Sequence, residues 1–171
     1  KRPEEITRTL AEKKPDILGF SVLNANRWGA LEIADIAKKA NPEIVTVFGG
    51  VAATFLWEHL LKHFPQVDYV ISGEGEYAFL QLVASLQKED AEQISSIGGL
   101  ACRRDGRVRK CADPPLIGDL DALPIPARYF TYQHVVSSRG CPAKCTFCGS
   151  PALWRNKVRF RSPENFVEEL E

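Results

Sequence analysis

Three short apolar runs, residues 16–22, 44–48 and 67–71, are separated by stretches in which apolar side chains recur at helical spacing. That alternation sets the fold class before any motif is considered. Ile6 and Leu10 put an apolar stripe on an opening helix that lasts to Lys14, and Pro15 ends it. Leu31, Ile33, Ile36 and Ala37 do the same for a helix over residues 30–40, which Asn41-Pro42 stops. Further helices are predicted over about 54–64 and after Glu76 to about Gln87. Strands alternating with helices of this length predict an α/β fold, a Rossmann-like (flavodoxin-like) parallel sheet covered on both faces.

Open parallel sheets bind ligands beyond the carboxyl ends of their strands. The loops at those ends are residues 21–27, 49–54 and 73–76, and they contain Ser21, Leu23, Gly49-Gly50 and Gly73-Glu74-Gly75-Glu76. Glycines there let a ligand approach bare backbone, and the same glycines also suit simple turns. Gly73-x-Gly75 lacks the third glycine of the dinucleotide fingerprint and comes late in the domain, which argues against a nicotinamide cofactor.

Past Lys88 the pattern changes. Residues 100–103 and 107–110, joined at Asp105-Gly106, read as a β-hairpin. Cys102 and Cys111 flank it and read as structural residues. Pro114, Pro115, Pro124 and Pro126 then mark an extended connection. Residues 132–137 are predicted to form a strand, which would make His134 a core residue, and Ser162-Pro163-Glu164 carries the cap, proline and acid of a helix start.

Between that strand and that helix lie Cys141, Cys145 and Cys148, at C-x3-C-x2-C spacing on a loop marked by Gly140, Pro142 and Gly149. Three thiolates are one short of a closed tetrahedral zinc site or a fully ligated 4Fe–4S cluster, so one metal corner is left open. A zinc knuckle is the bland alternative, but no histidine or further cysteine follows at knuckle spacing. The five cysteines are an odd number and no secretory signal is present, so reduced, cytoplasmic thiols are expected rather than disulfides.

The cysteine spacing, with Phe147 just before the third cysteine, resembles the cluster loop of the radical S-adenosylmethionine (SAM) enzymes. The resemblance implies that Cys141, Cys145 and Cys148 ligate a 4Fe–4S cluster whose open iron binds SAM. It places Phe147 against the SAM adenine, and one electron from the cluster cleaves SAM to a 5′-deoxyadenosyl radical. Ser21-Val-Leu23 after one strand and Gly49-Gly50 after the next resemble two motifs of the cobalamin-binding domain. The hairpin and the Asp-Leu-Asp-x-Leu-Pro-x-Pro connection resemble the segment between the two domains of cobalamin-dependent radical SAM enzymes. In that family Ser21, Leu23, Gly49 and Gly50 would line the site of the buried nucleotide tail, with Gly73, Glu74, Gly75 and Glu76 close by. The third cobalamin motif, Asp-x-His-x-x-Gly with its cobalt-ligating histidine, is not in this sequence.

The resemblance divides the chain into a cobalamin-binding domain truncated at its N-terminus (1–90), a hairpin and linker (91–128), and the first strand, cluster loop and helix start of a radical SAM (β/α) barrel (129–171). The chain has no methionine, even at position 1, and reads as a piece of a longer protein, expected to be inactive by itself. The implied activity is methylation or rearrangement of an unactivated carbon in a small-molecule substrate, with a flavodoxin or ferredoxin as electron donor. The alternatives are a corrinoid carrier or sensor with a structural zinc loop, and a radical SAM protein whose cobalamin domain is vestigial.

A net charge of zero argues against a nucleic-acid surface, and no apolar run reaches the roughly 20 residues that span a bilayer. Residues 138–161 hold six basic and no acidic side chains, of which Arg139 and Lys144 suit a negatively charged cluster and the SAM carboxylate best. His59 and His63 share a helix face without the H-E-x-x-H pattern and read as solvated. In the family's strand order the strand at 16–22 would have an open edge here, so self-association or cover by another segment is expected.

Overall fold

The computed structural model describes residues 2–129 and 134–171, in two compact units, Lys1–Pro114 and Pro115–Glu171. The first runs α1 (Pro3–Lys13), β1 (Ile17–Ser21), α2 (Arg27–Ala40), β2 (Val45–Gly49), α3 (Val51–His63), β3 (Tyr69–Ile71), α4 (Glu76–Gln87), α5 (Ala91–Ile94), β4 (Leu100–Arg104) and β5 (Arg107–Lys110).

All five strands form one sheet in the order β1-β2-β3-β4-β5. β1, β2 and β3 are parallel, with Ile17 opposite Val45 and Val47 opposite Tyr69. β3 and β4 are antiparallel, so the sheet is mixed rather than wholly parallel. The hairpin predicted at Asp105-Gly106 forms as expected, with both turn residues at positive φ (52° and 70°), as a two-residue turn between twisted strands requires. It adds two strands to the sheet because Leu100 and Ala101, 2% and 0% exposed, give β4 apolar side chains for both faces. α2 and α3 begin three residues earlier than periodicity suggested, directly off the turns.

Strand alternation sorts the core. Phe48 and Val70 pack with Ala30, Leu31 and Ala34 of α2 and Ala53, Leu60 and Leu61 of α3. Their neighbours Val47 and Ile71 pack on the opposite face with Ala78 and Leu82 of α4 and with Ile97. α1 lies on α2 through Ile6 and Leu10. The Arg103 guanidinium donates to the carbonyls of Leu61 and Phe64 at 2.9 and 2.6 Å, groups that the end of α3 leaves without helical partners, and to the Val67 carbonyl in the connection to β3 at 2.7 Å. β1 is the terminal strand and, among the described residues, has a neighbour on one side only.

The second unit holds β6 (Ser138–Gly140), α6 (Ser150–Trp154), β7 (Val158–Phe160) and α7 (Pro163–Leu170). β6 and β7 form an antiparallel ribbon, with Gly140 opposite Val158. Among the described residues this unit shows an antiparallel ribbon with two helices rather than the parallel strands of the expected barrel. The strand predicted over residues 132–137 falls partly outside the described residues, and 134–137 are irregular, with His134 exposed rather than in a core. Pairing cannot extend back through them: after Arg161 donates to the Ser137 carbonyl at 3.0 Å, Ser162 leaves the ribbon to cap α7. That cap forms as read, the Ser162 hydroxyl accepting from the Asn165 amide at 3.1 Å. No helix among the described residues is long and apolar enough to cross a membrane.

Candidate cofactor sites

The loops after β1, β2 and β3 converge because the strands are parallel and in register. Two glycines and two side chains lock them together. The amide of Val22 donates to the Gly49 carbonyl at 2.8 Å, and the amide of Ala52 donates to the Val22 carbonyl at 3.0 Å. This backbone contact is close enough that a Cβ on Gly50, at φ 91°, would stand 2.9 Å from the Val22 nitrogen. Thr54 then joins the second loop to the third: its hydroxyl donates to the Gly50 carbonyl at 2.9 Å and accepts from the Gly73 amide at 3.0 Å. The first loop is fixed by Asn26, which accepts from the Leu23 amide at 2.8 Å and donates to the Ser21 carbonyl at 3.1 Å.

The result is a cavity of about 310 Å³ lined by Gly19, Phe20, Ser21, Val47, Gly49, Gly50, Ile71, Gly73, Gly75, Glu76 and Phe79. Of the residues singled out in the sequence, Ser21, Gly49, Gly50, Gly73, Gly75 and Glu76 meet here. Leu23 and Glu74 are not among the lining residues; the Leu23 side chain is 54% exposed. Five lining residues were missed: Gly19, Phe20, Val47, Ile71 and Phe79. Gly19 carried a readable signal, since a glycine in a strand interior often marks a place where something approaches the backbone closely. Phe20, Val47, Ile71 and Phe79 were indistinguishable from core residues.

The floor is bare backbone. A Cβ on Gly19 would meet nothing within 4 Å, and one on Gly49 would have only the Ile71 carbonyl, at 4.0 Å. Side chains at these positions would occupy the cavity and nothing else, so the two glycines keep it open. Its apolar walls and single carboxylate, Glu76, suit a planar, largely apolar group with hydrogen-bond donors at its edge. The volume is at the low end for small-molecule sites and fits part of a large cofactor.

The cysteine loop leaves the end of β6. A Cβ on Gly140, at φ 110°, would lie 1.9 Å from the Lys157 carbonyl oxygen, so only glycine fits where the chain turns toward Cys141. Asn156 ties the loop down by donating to the Ala143 carbonyl at 2.9 Å. The Cys148 amide donates to the Cys145 carbonyl at 3.2 Å, and the Ser150 amide donates to the Cys148 sulfur at 3.4 Å. Hydrogen bonds from the side chain and backbone of Ser150 hold the Cys148 thiol below the ordinary thiol range, which favours the thiolate a metal needs.

Cys145 and Cys148 are exposed, Cys141 is half-buried and Phe147 is 92% exposed. Among the described residues no three His, Cys, Asp or Glu side chains stand in a metal-holding arrangement. The donor set therefore fits a thiolate-bound metal in kind and spacing, and bringing the three sulfurs onto one centre requires the loop to close around it. Of the basic residues, Arg161 is committed elsewhere. It pairs with Glu169, the two side chains 11% and 1% exposed, and donates to the Asn165 side chain at 2.6 Å. Arg159 stacks on Trp154 at 5.4 Å. Lys144 is exposed. His59 and His63 are exposed with ring centroids 4.7 Å apart.

Comparison with known proteins relates the chain to cobalamin-binding and methyltransferase families. Residues 1–83 match the family model described as B12 binding domain. An uncharacterized methyltransferase of Pyrococcus horikoshii is 33% identical over 97% of this chain and 38% of its own length. The anaerobic magnesium-protoporphyrin IX monomethyl ester cyclase of Rubrivivax gelatinosus is 31% identical over 98% of this chain and 33% of its own. A cobalamin-dependent radical SAM methyltransferase of Streptomyces tokunonensis is 26% identical over 92% of this chain and 25% of its own. The chain thus spans between a quarter and two fifths of the length of these relatives.

Proposed function

We propose, from the match of residues 1–83 to the B12 binding domain family and the similarity of nearly the whole chain to a cobalamin-dependent radical SAM methyltransferase, that the chain contributes the cobalamin pocket and the cluster loop of such an enzyme. The observation that carries the reading is the convergence of Ser21, Gly49, Gly50, Gly73, Gly75 and Glu76 on one cavity with a side-chain-free floor.

The cavity takes the nucleotide tail of the cofactor. Gly19 and Gly49 let a flat ring lie on the strands, Phe79 and Ile71 exclude water from one side of it, and the Ser21 hydroxyl and Glu76 carboxylate are placed to meet the polar groups of the tail, the carboxylate accepting from a hydroxyl. Cobalamin, when bound, supplies a transferable methyl group or a cobalt redox centre.

Cys141, Cys145 and Cys148 would hold a 4Fe–4S cluster, which would supply the electron for reductive cleavage of SAM. Gly140 directs the loop, Ser150 stabilises the Cys148 thiolate, and Phe147, free of internal packing, is available to stack on the adenine. The reaction is methylation or rearrangement of an unactivated carbon on a small molecule, with an electron donor of the flavodoxin or ferredoxin kind.

The test uses protein that carries this chain, given SAM and dithionite without oxygen. Formation of 5′-deoxyadenosine that disappears in each of Cys141→Ala, Cys145→Ala and Cys148→Ala supports the reading. SAM left intact by a correctly folded, iron-loaded protein contradicts it.

A further inference from the structure

We propose that the cleft between the start of α2 and the C-terminal half of α3 binds a small planar anion, an aromatic or heteroaromatic carboxylate. The cleft has a volume of about 220 Å³ and shares no lining residue with the cavity at the strand ends.

Its walls are rings. Trp28 meets Phe64 edge to face at 6.2 Å, and His59 meets the same Phe64 at 5.8 Å. Trp28 is 61% exposed, a large aromatic left in water beside an apolar hollow. A planar ring placed there gains contact with Trp28 and Phe64 and with the floor at Leu56.

Arg27 supplies the polarity. Its guanidinium lies 5.0 Å from the Trp28 ring centre and donates through Nη1 to the Asn24 side chain at 2.8 Å. Its Nε is buried and has no acceptor among the described residues. A buried donor on a cation is costly to leave unmet, and a carboxylate is its best-matched partner. No Asp or Glu lines the cleft, so nothing in the lining competes for the guanidinium or repels an anion. The volume admits an aromatic ring with its carboxylate.

Benzoate is the probe, titrated into the protein while the indole N–H of Trp28 and the Nε–H of Arg27 are followed by NMR. Both signals shift saturably, benzylammonium of the same shape and opposite charge shifts neither, and Arg27→Gln weakens benzoate at least about tenfold. Leu56→Trp, which fills the hollow, abolishes binding while amide signals far from the cleft stay in place. Absence of a saturable shift with benzoate, an equal response to benzylammonium, or full affinity in Arg27→Gln overturns the proposal.

Discussion

The place a Cβ would take on Gly140 lies 1.9 Å from the carbonyl oxygen of Lys157, so the residue before the first loop cysteine is fixed by the backbone of the opposite strand. Gly140 also sits at φ 110°, where side chains are strained whatever the space. Gly140→Ala therefore destabilises the second unit by more than about 2 kcal/mol, read as faster hydrogen exchange across β6 and β7. Protection unchanged from wild type would mean that β7 moves aside freely.

The paired glycines after β2 separate by role. Gly50→Ala forces a Cβ to within 2.9 Å of the Val22 nitrogen at positive φ and lowers stability by about 1–3 kcal/mol. Gly49→Ala meets only the Ile71 carbonyl, at 4.0 Å, and leaves thermal stability close to wild type while narrowing the cavity. Thermal melts of the two variants distinguish these roles, and equal losses would refute the division.

Arg161 and Glu169 form an ion pair with side chains 11% and 1% exposed. Removing Glu169 leaves the Arg161 guanidinium hydrogen-bonded to Asn165 but without this counter-ion in a largely buried place, so Glu169→Ala costs about 3 kcal/mol. Replacing both with apolar residues of similar volume restores most of the loss. Urea denaturation of the single and double variants measures it; a mild single-variant loss would show the pair to be solvated.

Tyr69 and Cys102 stand opposite each other across β3 and β4. Burial raises both pKa values, and each of these acids has a neighbouring acid that raises it further: Cys102 and then Asp68 act on Tyr69, and Cys111 on Cys102, against a smaller lowering by Arg104. In the unfolded chain both ionise earlier than in the fold. Their contribution to stability is therefore complete below about pH 8.5, where an ordinary thiol ionises, and is lost as pH rises through the raised folded values. Denaturation midpoints fall on the alkaline side, less so in Tyr69→Phe; a flat profile would contradict the burial argument.

How much of this was legible beforehand follows from what each pattern encodes. The three strands, their carboxyl-end loops, the Asp105-Gly106 turn and the Ser162 cap rest on local chemistry and appear where the sequence places them. What a strand pairs with is not local. Nothing within residues 134–137 says that the strand facing them ends at Phe160, and nothing within 100–110 says that the hairpin joins the sheet beside β3. In the cavity, the glycines announce themselves by type, whereas Val47, Ile71 and Phe79 acquire a role only from the register that brings them under the same opening.

The most direct test of the account is iron, sulfide and cobalt content of protein carrying this chain, reconstituted without oxygen and given hydroxocobalamin, beside the triple Cys141/Cys145/Cys148→Ala variant and Gly49→Val. The account predicts one cluster per chain that the cysteine variant loses while its cobalt remains, and cobalt that Gly49→Val loses while its cluster remains. Zinc in place of iron, or cobalt retained at full occupancy in Gly49→Val, would contradict it.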